Sequence, residues 1–423
     1  MSAGAISGID VLIVGGGPAG LTTALALRQR GARVTVADAL HPPVDKTCGE
    51  GLMPDSLREL RRLGVELPTQ DGGVFRGIRF VSHAHHAMEN AEGRGTGVEA
   101  LAEACFPAEG AALGVRRPVL HGRLVEAAQE AGVDLRWNAP VQLRPDGTVR
   151  VAGEEFRSGC LVGADGQGSR VRRWAGLDAG RELSRRFGFR QHYRVQPWSD
   201  AVEVHWGRSG QAYVTPVGTD EVCVATITRD PHCRVEALLS ELPWLRQKLA
   251  GKTELLRTDR ERGALTTTRR LRRVAAWNMA SRNPASRNPA GRDLAGRRVA
   301  LVGDASGSAD AITGEGMAMA FRQALLLADA LAHAPVDQAL RRYNREHPGI
   351  LRLPQRMARV MLAMDRWPDF RSRAIRMLAA EPGLFTRMLG VHVGAESMGH
   401  FVATRGLEVA LRLAAPSLPT ETA

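Results

Sequence analysis

The chain has 423 residues, 44% of them hydrophobic and 24% charged, enough for two or three packed units and more than a single core holds. No run of about 18 uninterrupted apolar residues occurs, so a membrane span is not expected. A net charge of +12 would suit nucleic acid, but the arginines are spread along the whole chain and aromatic residues make up only 5%, which leaves no basic stacking platform.

A basic surface of this kind can still help to capture phosphorylated cofactors or touch anionic lipid at the periphery. Five cysteines, Cys48, Cys105, Cys160, Cys223 and Cys233, form no CxxC pair and are odd in number, the pattern of reduced thiols and a cytoplasmic setting. The amino terminus carries no lysine or arginine before Arg28 and runs straight into a glycine turn, so it does not read as a secretory signal. No HExxH and no Cys/His cluster points to a metal.

In chain order, Val11 to Val14 is a β-branched apolar run short enough for a buried parallel strand, and Leu21 to Arg28 has helical composition. Between them lies Gly15-Gly16-Gly17-Pro18-Ala19-Gly20, a tight turn between strand and helix. Gly15 allows the turn, Gly17 lets backbone amides approach a pyrophosphate, and Gly20 lets helix and strand pack closely. A second strand, Arg33 to Ala37, delivers Asp38 at about the 20-residue offset of a ribose-hydroxyl acceptor. These features together predict a dinucleotide site.

Residues near 74 to 82 read as a strand belonging to a separate sheet, and Asp146-Gly147 as a hairpin between short strands. A further apolar strand ends in Gly163-Ala164-Asp165-Gly166. From about 181 to 270 polar and apolar residues alternate, as in Ala201 to Trp206 and Glu221 to Ile227, the mark of half-exposed antiparallel strands. The tandem Ala-Ser-Arg-Asn-Pro repeat at 280 to 289 reads as a solvated loop. From about 340 the pattern is helical, and the cluster of Met357, Val360, Met361, Leu362 and Met364 is expected to pack as core.

Three motifs in fixed order carry a family resemblance: GGGPAG at 15–20, GADGxxSxVR at 163–172, and Gly303-Asp304-Ala305 followed by Thr313-Gly314-Glu315-Gly316. Together they resemble the signatures of flavoproteins with the para-hydroxybenzoate hydroxylase fold. That superfamily holds the single-component aromatic hydroxylases, the flavin halogenases and the geranylgeranyl reductases. The resemblance implies an α/β fold. It has a discontinuous Rossmann-like FAD-binding domain (1–72, 110–180 and 295–345), an inserted antiparallel β-sheet substrate domain (73–109 and 181–294) and a C-terminal helical region (346–423).

By the same resemblance Gly303 and Asp304 meet the FAD ribityl chain and pyrophosphate, and Gly314, Glu315 and Gly316 open a helix aimed at the isoalloxazine. Asp165 and Gly166 sit near the pyrophosphate, and Arg117 opens a helix beside the flavin. Ala19 and Lys46 complete the expected cofactor set with Gly15, Gly17, Gly20 and Asp38. Backbone amides at a helix amino end favour negative charge, so a helix starting near Gly314 would stabilise reduced flavin without a side-chain cation.

Lys46-Thr47-Cys48-Gly49-Glu50-Gly51-Leu52-Met53-Pro54 carries the chemistry. Its CGEG segment is similar to one beside the flavin in geranylgeranyl reductases, and CGEGLMP also looks like segments of FAD oxidoreductases associated with bacterial polyketide pathways. Tyr213-Val214-Thr215-Pro216 falls where those reductases carry YxWxFP but lacks the tryptophan and the phenylalanine. Cys48 and Glu50 are candidate proton donors, although a glutamate after glycine in a turn tends to be solvated. Tyr213, His205 and His192 are the sheet residues most able to orient a phenol.

The expected activity is that of an FAD-dependent monooxygenase reduced by NADPH or NADH, using O2 to hydroxylate or oxidise a small hydrophobic aromatic or polyketide-like molecule, in secondary metabolism. The alternative is a geranylgeranyl reductase-like C=C reductase. A halogenase ranks third, because no WxWxIP stretch exists and Lys46 is its only candidate lysine. A flavin-bound sensor has nothing to recommend it, and oligomeric state is not legible.

Overall fold

The apolar run at the amino end forms the strand Asp10–Val14, buried beyond its first residue, at the centre of a six-stranded sheet. The computed structural model describes residues 8–83, 98–107, 110–250, 256–277 and 297–414. Across this sheet the strands run Ala275–Ala276, Val299–Leu301, Cys160–Gly163, Asp10–Val14, Arg33–Ala37 and Asp134–Arg136. Every neighbouring pair is parallel except the edge strand Ala275–Ala276. Such strands are covered on both faces, which explains their continuous apolar sequence.

On one face lie the helices Pro18–Arg28, Arg117–Glu130 and Gly316–Ala332, sharing one core with Val11, Ile13 and Val36. On the other, the hairpin of Val141–Leu143 and Val149–Val151 joins Leu12, Val14 and Leu161 in a second core. The expected turn at Asp146-Gly147 connects these two strands. Asp146 accepts the Thr148 amide at 2.9 Å, and Gly147 takes φ +99°.

The second sheet has seven strands, in the order Arg262–Leu271, Gly180–Tyr193, Val222–Thr228, Gly210–Pro216, Ala201–Trp206, Gly77–His83 and Val98–Cys105. It is antiparallel, as expected, except where Ala201–Trp206 runs parallel to Gly77–His83. The reason is topological. More than a hundred residues, including two strands of the cofactor sheet, separate those two strands, and a crossover of that length lets them align in parallel. A small sheet of Gly51–Leu52, Ala112–Gly114 and Gly73–Phe75 joins the two large ones and fixes the loop that precedes Gly51.

Four helices follow: Val336–Arg366, Pro368–Ala380, Pro382–His392 and Met398–Ala414. The first runs unbroken through 345 and 346, so the expected join there is not a break in the chain. None of the described helices is long and apolar enough to cross a membrane. The tandem repeat at 280–289 lies outside the described residues.

Candidate active site

Asp304 of the carboxy-proximal motif and Gly17 of the first glycine turn line one cavity of about 790 Å³. The two motifs are in contact: a Cβ added to Gly303, whose φ is +58°, would come within 2.6 Å of the Ala19 Cβ. Each glycine of the first turn has a distinct constraint. Gly15 has φ +110°, and a Cβ there would meet the Ala164 carbonyl at 2.5 Å. A Cβ on Gly20 would meet the Gly15 carbonyl oxygen at 1.9 Å, so helix and strand pack at backbone distance. Gly17 instead faces open space, with nothing within 4 Å of an added Cβ. That cradle at a helix amino end fits a pyrophosphate.

Asp38 stands at the end of the second strand and accepts the Gly16 amide at 2.7 Å. His121 braces the same turn, with Nε2 2.8 Å from the Gly16 carbonyl. Ala19, Lys46, Arg117, Gly166, Gly314 and Gly316 also line the cavity. Asp304 is open to this space although protein surrounds it, and burial pushes its carboxyl up.

Two expected cofactor residues turn elsewhere. Asp165 accepts from Ser169 Oγ at 2.5 Å and from the Arg170 and Val171 amides at 2.6 and 3.1 Å, so its carboxylate caps the helix Arg170–Trp174 and is not offered to the pyrophosphate. Glu315 sits between Gly314 and Gly316 but points away from the cavity into protein, 95% buried, where burial and the nearby Asp55 push its carboxyl up to about 8. Arg172, quoted only as part of the central motif, donates to the Ala305 carbonyl at 3.2 Å and the Gln167 carbonyl at 2.8 Å, tying the second motif to the third.

Glu50 overturns the expectation of a solvated turn residue. It is 1% exposed, with φ 60° in the left-handed region. Its Oε1 accepts from the Arg117 amide and from Arg190, each at 2.9 Å, and Oε2 lies 2.7 Å from His192 Nε2. Arg190 reaches on to Asp45 at 2.9 Å, and His192 Nδ1 to Asp259 at 2.7 Å. Burial opposes a charge on His192, but the hydrogen bonds and charges of Glu50 and Asp259 outweigh it and raise its affinity for a proton. These bonds offset the strain of the Glu50 backbone and hold the CGEG loop against the flank of Arg117. Glu50, His192 and Cys223 lie close enough to share a cation, yet Arg190 already occupies the adjoining space with its positive charge.

Cys48 lines the cavity, and its Sγ accepts the Glu50 amide at 3.3 Å. Burial raises its thiol, as does the Glu50 carboxylate, so it is a neutral thiol and a poor nucleophile. Tyr213 also lines the cavity, its hydroxyl donating to the Ile312 carbonyl at 2.7 Å. His205 does not. Tyr213 pairs with Val204, so the next residue along the strand falls on the far face of the sheet. There His205 is fully buried, 2.9 Å from His83 and 3.0 Å from Glu203. His192 is likewise taken up by carboxylates rather than free to orient a phenol.

The methionine cluster packs as core, with Met364 buried beside Phe80 and Phe385 and Met361 against them, and it also lines the cavity. Nine of the chain's twelve methionines line it, among them Met357, Met361 and Met364 of the long helix and Met377, Met388 and Met398 of those that follow.

Residues 8–347 match the FAD binding domain family, and the chain belongs to it. The structure has the para-hydroxybenzoate hydroxylase-type fold. FAD is its cofactor, and the residues lining the glycine cradle fit that group. The chain is 28% identical over 265 residues to a menaquinone reductase of Mycobacterium tuberculosis (strain ATCC 25618 / H37Rv), over 58% of this chain and 62% of the relative. It is 31% identical over 181 residues to a rifampicin monooxygenase of Streptomyces venezuelae, over 42% of this chain and 36% of that protein. The chain thus spans less than two thirds of these relatives. Among solved structures, 2-methyl-3-hydroxypyridine-5-carboxylic acid oxygenase aligns with a TM-score of 0.61 at 22% identity, over 85% of this chain and 92% of that one.

Proposed function

We propose that the protein is an FAD-dependent monooxygenase, driven by NADPH or NADH, that hydroxylates or oxidises a hydrophobic aromatic or polyketide-like molecule in secondary metabolism within the cytoplasm. One observation carries this reading: the glycine cradle, Lys46 and Asp304 share a single cavity with a wall of methionine and phenylalanine side chains. The likeness to rifampicin monooxygenase supports it.

Bound FAD would supply two-electron reduction by NAD(P)H and activation of O2. The balance is NAD(P)H, a proton, O2 and substrate giving NAD(P)⁺, water and hydroxylated substrate. The chain's own part is placement. Gly17 and Ala19 at their helix amino end would hold the pyrophosphate, Asp304 the ribityl chain, and Asp38 the ribose. The amino end of the helix Gly316–Ala332 would favour negative charge on the ring system. Glu50 keeps Arg117 in register by fixing its backbone, and the apolar wall excludes water from the reacting centre.

A flavin-dependent C=C reductase is the second reading, favoured by the position of the Cys48 loop in the cavity wall and by the menaquinone reductase likeness. An oxygen electrode separates the two. With NADPH or NADH and a phenolic substrate, the monooxygenase consumes one O2 per substrate converted and forms no product under argon. A reductase converts its alkene fastest under argon.

A further inference from the structure

The helices from Val336 to Ala414 give the cavity sixteen of its described wall residues, and fifteen are aliphatic, aromatic or methionine. The exception is His392, the last residue of the helix Pro382–His392. It is 93% buried, and among the described residues no side chain or backbone group hydrogen-bonds either ring nitrogen. Nδ1 is sealed in protein, 3.8 Å from Glu315 Oε1, while Nε2 keeps access to the cavity. Glu315 is equally unserved. Among the described residues neither carboxylate oxygen accepts a hydrogen bond, and the neighbouring Thr313 hydroxyl, which opposes the upward push on Glu315, donates to the Asp310 carbonyl at 3.3 Å.

Two buried polar groups left without partners cost roughly 1–3 kcal/mol each, a cost that a ligand can remove. The charged groups near them are Asp55 and Arg58, on the helix Pro54–Arg62, and Arg322, on the helix Gly316–Ala332; Asp55 and Arg322 are paired with each other, and Arg58 donates to the Val393 carbonyl at 3.4 Å. Among the described residues no other polar side chain lines the cavity from the helical wall.

We propose that His392, with Glu315 behind it, hydrogen-bonds an uncharged ring oxygen, a phenolic hydroxyl or a quinone-type carbonyl, on an otherwise apolar substrate. The inference rests on reading this cavity as the substrate site. Burial keeps both groups neutral near pH 7: it pushes Glu315 up to about 8, helped by Asp55, and pushes His392 down. At 3.8 Å the Glu315 carboxyl is too far from Nδ1 for a hydrogen bond, and a neutral imidazole that carries its proton on Nε2 donates it to the substrate oxygen. A carboxylate gains little from so neutral a donor and loses its hydration. The methionines around it adapt to ring systems of varied outline, so on the helical wall His392 supplies the polar selectivity.

Calorimetric titration of the FAD-loaded protein with naphthalene, 1-naphthol and 1-naphthoate tests this. At pH 7 the naphthol is expected to bind about tenfold tighter than naphthalene, or about 1.4 kcal/mol, and the naphthoate no tighter than naphthalene. His392→Phe abolishes the preference and leaves FAD content and naphthalene binding unchanged. His392→Gln, which keeps an N–H donor, retains most of it. In the unmodified protein the naphthol affinity shifts as pH passes about 8, where Glu315 ionises, and Glu315→Gln removes that shift. Equal binding of naphthol and naphthalene, or a preference that survives His392→Phe, overturns the anchor. Oxygen-dependent turnover without the preference sinks only the anchor, and the preference without such turnover sinks only the proposed activity.

Discussion

Replacing Glu50 by leucine removes the acceptor of three hydrogen bonds at once. The Arg117 amide loses its partner inside protein, at a cost of about 1 kcal/mol or more. Arg190 keeps Asp45 and His192 keeps Asp259, so neither cation is stranded and the loss belongs at the lower end of the 3–5 kcal/mol typical of a broken buried pair. A total of about 3–4 kcal/mol corresponds to a fall in Tm of roughly 3–5 °C for a chain of 423 residues, because the unfolding entropy grows with length. Circular dichroism and flavin fluorescence, followed on heating, should show unfolding and FAD release moving down together, because the same carboxylate holds the loop beside the cavity. Glu50→Gln keeps the shape and two of the bonds and should cost about half as much. Combining it with His192→Gln should give a coupling of about 1 kcal/mol or more. A Tm within about 2 °C of the unmodified protein for Glu50→Leu would refute the keystone role.

Gly17→Val fills the space expected to hold the pyrophosphate and Asp304→Ala removes a cavity carboxyl, so both should purify with at least about tenfold less FAD at unchanged folding; full FAD content in either would sink the assignment of these residues. Cys48→Ala should leave oxygenation within about threefold, since a neutral thiol supplies no nucleophile; a larger loss in steady-state rate returns Cys48 to the chemistry. Glu315 binds its proton more tightly folded, near 8, than unfolded, near 4.5, so the folded state holds the extra proton between those values and stability falls as pH rises through them. Denaturation of Glu315→Gln should therefore show a stability gain over the unmodified protein that is larger at pH 8 than at pH 5.

The cofactor half of the fold was legible because its constraints are local. Gly20 answers to the Gly15 carbonyl five residues back, Gly15 to its own left-handed backbone in a tight turn, and Asp38 to the length of one strand-helix-strand unit. Asp165 matched its motif, yet its carboxylate caps its own helix, since a residue type at the right spacing does not fix which way the side chain is used. Strand parity separates Tyr213 from His205, but the register that decides it depends on pairing with distant strands. Glu50 reads as a turn glutamate until Arg190 and His192, some 140 residues further on, arrive beneath it. The approach of Glu315 to His392, and the methionines around them, arises where four helices close over a sheet, and no periodicity distinguishes a cavity wall from a core.

Turnover under ¹⁸O2, with NADPH or NADH and a phenolic or polyketide-like substrate and the product analysed by mass spectrometry, tests the central claim most directly. One ¹⁸O atom in the product, with none gained from H₂¹⁸O, is the predicted result. A product two hydrogens heavier, unlabelled and formed equally well under argon, would contradict it and make the protein a reductase.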